Sequence, residues 1–319
     1  MGATALMSVS VFAPASIGNV SVGFDVLGLA VQPVDGSLLG DVVQVEPAQQ
    51  NELVVVGAFA DKLPSNQEDN IVWSCLTLFN QALAEDGKNA ESVKLTLDKK
   101  MPVGSGLGSS ACSVVAALHA LNEYYGSYFS QEKMLTMMGE MEAQISGSLH
   151  YDNVAPCYYG GLQLMVPDEA IITRTLPCFE DCYFIMAYPG IEVSTKAARE
   201  VLPEQYSKAD AIKFGQILAN FVDACYRQDK QQAFSHFEDV LAEPYRENLL
   251  PGFSQAKSYL YQQGCLAVGI SGSGPTLFAV VEDKNNADQL ASWLQKEYLS
   301  TDLGFVHVCQ IDNQGSRVL

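Results

Sequence analysis

The chain has 319 residues, of which 48% are hydrophobic and 17% charged, a composition typical of a globular protein long enough for two domains. Its 18 Lys and Arg against 37 Asp and Glu give a formal net charge of −19. This charge excludes a general nucleic-acid binder and a partner on an anionic membrane surface, because both need a basic face, but it does not exclude a small anionic ligand at a local site.

The N-terminal region and the cysteines indicate an intracellular protein. No stretch reaches the ~18 consecutive apolar residues of a membrane span, and the first ten residues lack the basic region of a signal peptide. Residues 1–6 are interpreted as a start-site extension or a non-native segment, because Met7 offers a second start. Eight cysteines without a C-x-x-C pair predict free thiols in a reducing cytoplasm, and four widely separated histidines argue against zinc.

The first half alternates strands and helices. Apolar alternation predicts strands over 8–13, 41–46, 52–56 and 92–97. Helical periodicity predicts helices over 70–84, 109–125 and 131–144. Gly87 and Gly126 follow the first two helices, and Ser130 is the expected N-cap of the third.

The second half contains a similar mixture. Strands are expected over 160–166, 183–187, 267–270, 276–281 and 305–311. Helices are expected over 210–227, 231–241, 253–262 and 286–298. Because the order lacks a strict strand–helix–strand rhythm, the pattern favours an α+β fold. We place the boundary after Pro167, which divides the chain into domains 1–167 and 168–319.

Residues 102–112 read PVGSGLGSSAC and carry the clearest functional signal. Gly104, Gly106 and Gly108 precede the best predicted helix, where converging backbone N–H groups and the helix dipole form an anion site that needs no lysine. The segment is neither a Walker A loop nor the dinucleotide fingerprint, whose third glycine would fall at Ser109. It predicts phosphate binding, and the alternative is a glycine-rich helix entry without a ligand.

Two further segments are weak signals alone. Residues 269–275 read GISGSGP, which is typical of a bulged hairpin turn, and residues 13–28 place Asn19 and Asp25 among small residues. Together with 102–112, however, they resemble the GHMP kinase superfamily, which has an N-terminal motif, a central G-L-G-S-S-A phosphate loop and a C-terminal glycine-rich loop.

Within that superfamily the chain resembles the homoserine kinases. The matching segments are GFD at 23–25 with Asn19, HYDN at 150–153, STK at 194–196 with Arg199, and EPYR at 243–246. They follow the expected order over nearly the whole chain. The resemblance implies a ribosomal-protein-S5-like N-terminal domain, a ferredoxin-like C-terminal domain and a cytoplasmic homodimer. It also implies ATP-dependent phosphorylation of the L-homoserine hydroxyl to O-phospho-L-homoserine in threonine biosynthesis.

The resemblance assigns the substrate site. Homoserine is a zwitterion, and Asp25 matches the family's partner for the ammonium group. Arg199 and Arg246 match its carboxylate clamp, a role that suits the planar guanidinium fork. The remaining substrate positions are His150, Asn153, Thr195 and Gly272.

The resemblance also assigns the ATP and Mg²⁺ sites. Glu142 lies near the end of its predicted helix, where the dipole disfavours a carboxylate unless a cation is near, and it matches the family's Mg²⁺ position. Ser110 is the expected second ligand, and Glu140 is expected to be solvated. The expected nucleotide-binding residues are Asn70, Pro102, Val103, Gly104, Ser105, Gly106, Leu107, Gly108, Ser109, Ser110, Ala111 and Cys112.

Two departures from the superfamily pattern bear on the chemistry. Several members carry a lysine where this chain has Ser16, and several use an aspartate as base where it has Asn153, which cannot accept a proton. The adjacent Asp152 is expected to point elsewhere, as successive residues of an extended segment do. The sequence therefore predicts a catalytic set of Asn19, Asn153 and Ser110 without a dedicated base.

Two alternative functions remain open. One is a GHMP kinase for another small alcohol, such as mevalonate or a sugar, for which Asp25 would have no evident ammonium partner. The other is a non-catalytic binding protein with the same fold, which the intact glycine-rich segment and Glu142 disfavour.

Overall fold

The computed structural model describes residues 8–168 and 171–319, so the expectation for residues 1–6 lies outside the described residues. The first sheet is formed, in spatial order, by β13 (Arg317–Val318), β1 (Val9–Pro14), β4 (Gly40–Pro47), β6 (Val93–Asp98) and β5 (Glu52–Val56). All neighbours are antiparallel except the parallel pair β5 and β6. Alternate residues of β6 are buried, so one face of this sheet packs on the core.

The second sheet joins the two halves of the chain. Its path runs through β10 (Ala267–Ile270), β11 (Leu277–Val281), β9 (Tyr183–Tyr188), β12 (Phe305–Ile311), β3 (Leu27–Pro33), β7 (Leu162–Met165) and β8 (Thr173–Leu176), and β2 (Ser16–Gly18) pairs with β3. Because Val31 of β3 pairs with Ile311 of β12, the sheet crosses the predicted boundary at residue 167. That boundary stays a prediction.

Ten helices accompany the sheets in the described part of the chain. They are α1 (Ile71–Glu85), α2 (Ser109–Tyr124), α3 (Gln131–Ser146), α4 (Val154–Tyr159), α5 (Thr195–Glu200), α6 (Lys208–Arg227), α7 (Lys230–Ser235), α8 (Glu243–Arg246), α9 (Phe253–Gln262) and α10 (Lys284–Glu297). No helix within residues 8–168 and 171–319 combines the length and the apolar character needed to cross a bilayer.

Helix α2 is central to the first half. It contacts β1, β4, α1, α3 and α4, and all its residues are buried except Ser110, His119 and Glu123. A helix surrounded in this way must be apolar on nearly all sides, which its Ala- and Val-rich sequence satisfies. Its N-terminus, directly after the glycine-rich segment, is therefore fixed by the core.

The predicted α+β class is confirmed, but the sequence analysis did not predict the short elements β2, β8, β13, α4, α5 and α8. Two longer elements also differ from the prediction. The helix expected over 231–241 ends at Ser235. Further along, the buried Asp239 carboxylate accepts hydrogen bonds from the N–H groups of residues 241–243, so the chain there is held by this side chain and not by helical hydrogen bonds. Strand β3 was missed, since its continuous apolar run has no alternation to reveal it. All eight cysteines are free thiols, and only Cys178 among them is not buried.

Candidate functional site

A cavity of about 430 Å³ brings together most residues that the sequence singled out. Its lining includes Asn19, Asp25, Asn70, Val103, Gly104, Ser105, Gly106, Gly108, Ser109, Ser110, Glu142, His150, Asn153, Thr195, Arg199, Arg246 and Gly272. The other four predicted loop residues, Pro102, Leu107, Ala111 and Cys112, are buried outside this lining. The structure thus assembles side chains from both halves of the chain around one space, and their individual roles remain predictions.

The two glycine-rich segments contact each other and form one wall. Gly104, Gly106 and Gly108 have left-handed φ angles of 62°, 77° and 69°, a backbone conformation that glycine adopts at low steric cost. A Cβ on Gly106 would collide with the Ser271 carbonyl oxygen. In return, the Ser271 hydroxyl donates to the Gly106 carbonyl at 2.7 Å. Each segment therefore positions the other.

Ser110 and Glu142 form a polar pair at the N-terminus of α2. The Ser110 hydroxyl donates to Glu142 Oε1 at 2.8 Å, and Glu142 is only 6% exposed. Burial raises the pKa of the Glu142 carboxyl above its usual value. The neighbouring Glu140 is exposed, as expected.

The turn at 150–153 corrects one expectation. Asp152 does not point away from Asn153: the residues lie in a turn before α4, both side chains line the cavity, and Asn153 Nδ2 donates to Asp152 Oδ2 at 3.2 Å. Asp152 Oδ1 lies 2.9 Å from His150 Nδ1. Burial alone would lower the pKa of His150, but the hydrogen bond and charge of Asp152 outweigh it and raise this pKa.

Asn153 is also held against the glycine-rich segment. The Ser16 hydroxyl donates to Asn153 Oδ1 at 2.9 Å. A Cβ on Gly108 would collide with this hydroxyl, so only glycine lets Ser16 approach so closely. Ser16 thus orients a cavity residue.

Asp25 and Arg199 bind each other across the cavity. Arg199 Nη2 and Nη1 lie 3.0 and 3.3 Å from the two oxygens of Asp25, a bidentate pair with side chains 28% and 34% exposed. The Asp25 N–H donates to Asn19 Oδ1 at 2.8 Å, which fixes the aspartate's backbone in a left-handed conformation with φ of 57°. The two groups expected to hold opposite ends of one ligand are therefore each other's partners in this structure.

Arg246 is fixed by backbone carbonyls instead. Its Nη1 donates to the Gly272 oxygen and its Nε to the Ala198 oxygen, both at 3.0 Å. Asn19 Nδ2 donates to the same Gly272 oxygen at 3.0 Å. Burial lowers the pKa of the Arg246 guanidinium, whose residue is only 3% exposed. Through these contacts Arg246 links α8, α5 and the C-terminal glycine-rich segment.

Asn70 lies at a more apolar part of the lining. Its Oδ1 accepts from the Val72 N–H at 3.0 Å and caps α1, whereas its buried Nδ2 has no hydrogen-bond partner among the described residues. Leu63, Ile71 and Val103 line the same cavity. This part of the cavity combines apolar surface with one amide donor.

A buried ion pair beneath the glycine-rich segment was missed by the sequence analysis. Lys99 Nζ lies 2.5 Å from Asp41 Oδ2, with side chains 2% and 0% exposed. Lys99 also donates to the Ser109 carbonyl at 2.8 Å and to the Ser113 hydroxyl at 2.9 Å. Asp41 Oδ1 accepts from the N–H groups of residues 100 and 101, both at 3.0 Å. One ion pair therefore holds the chain on both sides of residues 102–108.

A signal for this pair was present in the strand pattern. The antiparallel register that pairs Val42 with Asp98 places Asp41 opposite Lys99. Both residues continue the alternation of buried positions in their strands, which puts a charge of each sign on the inward face. Two buried opposite charges at facing positions predict an ion pair.

Comparisons with known proteins agree with this geometry. A family model described as GHMP kinases N terminal domain matches residues 70–161, and one described as GHMP kinases C terminal matches residues 222–299. The chain is also similar to the crystal structure of homoserine kinase from Cytophaga hutchinsonii, with 32% identity, a TM-score of 0.89, and coverage of 100% of this chain and 99% of the other. The chain belongs to the GHMP kinase family.

More distant structures share the fold. Phosphomevalonate kinase from Streptococcus pneumoniae has a TM-score of 0.72 at 14% identity over 96% of this chain and 99% of the other. Mevalonate kinase from L. major has a TM-score of 0.68 at 15% identity over 94% and 95%. The expected S5-like and ferredoxin-like domain pair is confirmed by the two family models. As a GHMP kinase, the protein is a kinase that uses ATP.

The Lys99–Asp41 pair predicts how this GHMP kinase responds to a substitution outside the glycine-rich segment. Lys99→Met should lower the free energy of unfolding by about 3–5 kcal/mol, because it leaves a buried charge without its partner. It should also weaken ATP binding, since the loop loses its anchor at Ser109. Melting temperature and calorimetric ATP titration measure the two effects.

Lys94 provides a matched control for Lys99. It pairs with Glu46 at 2.9 Å on the same two strands, but with side chains 34% and 35% exposed. Lys94→Met should cost less than about 1 kcal/mol and leave ATP affinity unchanged. If Lys99→Met does not fold, Asp41→Asn combined with Lys99→Met removes both charges and should recover stability. Unchanged ATP affinity in a folded Lys99 variant would contradict the anchoring role.

Proposed function

We propose that this kinase transfers the γ-phosphoryl group of ATP to the hydroxyl of L-homoserine, giving O-phospho-L-homoserine for threonine biosynthesis. The observation that carries the proposal is the group of Asp25, Arg199 and Arg246 in the same cavity as the glycine-rich segment. Charges of both signs beside an anion-binding loop suit a zwitterionic alcohol and a nucleotide. The similarity to a homoserine kinase over the full chain supports the same substrate.

The proposed substrate site binds both ends of the amino acid. Asp25 would accept the ammonium group, and Arg199 and Arg246 would bind the carboxylate through their planar guanidinium groups. His150 supports this assignment, because its buried Nε2 has no hydrogen-bond partner among the described residues and its side chain lines the cavity. Thr195, Asn153 and Gly272 complete the proposed substrate contacts.

The proposed nucleotide site depends on backbone groups more than on side-chain charge. The N–H groups around Gly104, Gly106 and Gly108 and the N-terminus of α2 would bind the phosphates. The unpartnered amide of Asn70 would meet the base beside the apolar lining. This arrangement explains how a protein of net charge −19 binds a polyanion without a basic patch.

The residues present fit a Mg²⁺ ion that enters with ATP. Ser110 and Glu142 would hold the ion through two oxygens that lie 2.8 Å apart in this structure, and oxygen ligands are those that Mg²⁺ prefers. A cation there would also offset the burial that disfavours the ionised Glu142. When bound, Mg²⁺ neutralises charge that develops on the phosphates during transfer.

In the proposed mechanism the chain acts by positioning and electrostatics. Asn19 and Asn153 would orient the substrate hydroxyl for in-line attack on the γ-phosphorus. The new O–P bond would form as the bond to the ADP oxygen breaks, and the hydroxyl proton would pass to an oxygen of the transferred phosphoryl group. Asp152 is not assigned as a base, because its two oxygens are engaged by His150 and Asn153. Its proposed role is to orient these two side chains.

Cytoplasmic location and a homodimer belong to the same proposal. Eight free thiols, seven of them buried, suit a reducing compartment. The dimer is expected from the resemblance alone, and light scattering on the purified protein measures it.

A substrate panel tests the proposed function. ADP release is measured with MgATP and L-homoserine, L-serine, mevalonate or galactose as acceptor, with no acceptor as the control. We expect kcat/KM for homoserine to exceed that for mevalonate and galactose by more than about 100-fold, because these lack the ammonium group that Asp25 would bind. Faster turnover of mevalonate or a sugar would overturn the assignment of the substrate.

Asp152→Asn tests the absence of a dedicated base. The asparagine still offers an oxygen to His150, so we expect substantial turnover of homoserine with a melting temperature close to that of the unmodified protein. A base typically contributes about 10²–10⁴-fold, so a loss beyond ~10³-fold in a folded variant would identify Asp152 as the base.

A further inference from the structure

We infer that the Asp25–Arg199 ion pair makes the site selective. A zwitterionic ligand gives a new partner to both side chains, whereas a ligand that has only a carboxylate gives a new partner to Arg199 alone. This inference rests on the proposed function and deepens it. It concerns how the site rejects hydroxy acids that lack the amino group.

The pair is one link in a closed ring of contacts at the cavity. Asp25 binds Asn19 through its N–H, Asn19 and Arg246 meet at the Gly272 carbonyl, and Arg246 holds the Ala198 carbonyl in α5. Arg199, the next residue of α5, donates a hydrogen bond to Asp25 and closes the ring. Four segments of the chain are thereby fixed around one ligand-sized space.

The links of this ring differ in what opening them would require. The hydrogen bonds that Asn19 and Arg246 donate go to backbone carbonyls and are buried, and the bond from the Asp25 N–H to Asn19 is part-buried. The Asp25–Arg199 link joins two side chains that are 34% and 28% exposed, so it opens by rotamer changes alone. A ligand therefore enters the ring at this link, and the other contacts stay in place.

Charge balance then decides which ligand enters. A zwitterion gives Asp25 an ammonium group and Arg199 a carboxylate, so each side chain exchanges one partner for another. A ligand with only a carboxylate takes Arg199 and leaves Asp25 unpaired beside a second negative charge. Arg246 would share the carboxylate with Arg199 but does not replace the lost partner of Asp25, because its Nε and Nη1 stay bound to carbonyl oxygens. Arg199 Nε, buried without a partner among the described residues, remains available to a carboxylate.

Asp25 therefore acts in two ways: it attracts the correct ligand and it blocks the incorrect one. If Asp25 only attracted the ammonium group, removing its charge would weaken the binding of homoserine and leave the binding of other ligands unchanged. If it also competes for Arg199, removing its charge should improve a ligand that lacks the ammonium group.

The test compares L-homoserine with 4-hydroxybutyrate, which keeps the hydroxyl and the carboxylate but lacks the amino group. In the unmodified protein, kcat/KM for 4-hydroxybutyrate should be at least about 100-fold below that for homoserine. In Asp25→Asn, kcat/KM should fall about 100-fold for homoserine and rise about 10-fold for 4-hydroxybutyrate, because Arg199 is released. The opposite signs distinguish this result from general damage to the site.

Glu46→Gln is the matched control, since Glu46 forms a similarly exposed ion pair with Lys94 on the first sheet. This substitution should leave kcat/KM unchanged for both homoserine and 4-hydroxybutyrate. A fall or no change for 4-hydroxybutyrate in Asp25→Asn, with homoserine turnover present in the unmodified protein, would overturn the inference and leave the proposed function intact. Absence of homoserine turnover in the unmodified protein would overturn both.

Discussion

The Lys99–Asp41 ion pair is the constraint on which the geometry of the glycine-rich loop depends. Asp41 holds the N–H groups just before the loop, and Lys99 holds the first turn of α2 just after it. Because both charges are buried and mutually satisfied, the pair fixes the loop without adding net positive charge to the cavity. In the proposed nucleotide site the loop would present N–H groups in place of side-chain cations, so an acidic kinase would bind ATP without a basic patch.

The charged side of the cavity depends on a different kind of constraint. Arg246 and Asn19 converge on the Gly272 carbonyl, and Gly272 lies in the segment that packs on Gly106. The proposed substrate site and the glycine-rich loop therefore share a wall, so the distance between an acceptor hydroxyl and a bound phosphate is set by the fold. Positioning of this kind is what phosphoryl transfer requires most.

Much of this arrangement could be predicted from sequence, because its parts are local. The glycines at 104, 106 and 108 and the helix after them follow from composition and periodicity, and the structure has both. The predictions that failed concern contacts between residues that are far apart in the sequence, or side-chain directions that depend on the local turn. Asp152 was expected to point away from Asn153, but its carboxylate accepts a hydrogen bond from the Asn153 amide. Lys99 becomes informative only once the register of β4 and β6 places it opposite Asp41. The pairing of Asp25 with Arg199 could not be predicted from a local sequence pattern, because the two residues are 174 positions apart.

We propose that one cavity binds a zwitterionic alcohol and MgATP side by side, and that the substrate opens the Asp25–Arg199 pair. A crystal structure with L-homoserine and a non-hydrolysable ATP analogue tests it most directly. We expect the ammonium group on Asp25, the carboxylate on Arg199 and Arg246, and the hydroxyl facing the terminal phosphate over the glycine-rich loop. Homoserine bound away from these residues, or an intact Asp25–Arg199 pair beside a bound homoserine, would contradict it.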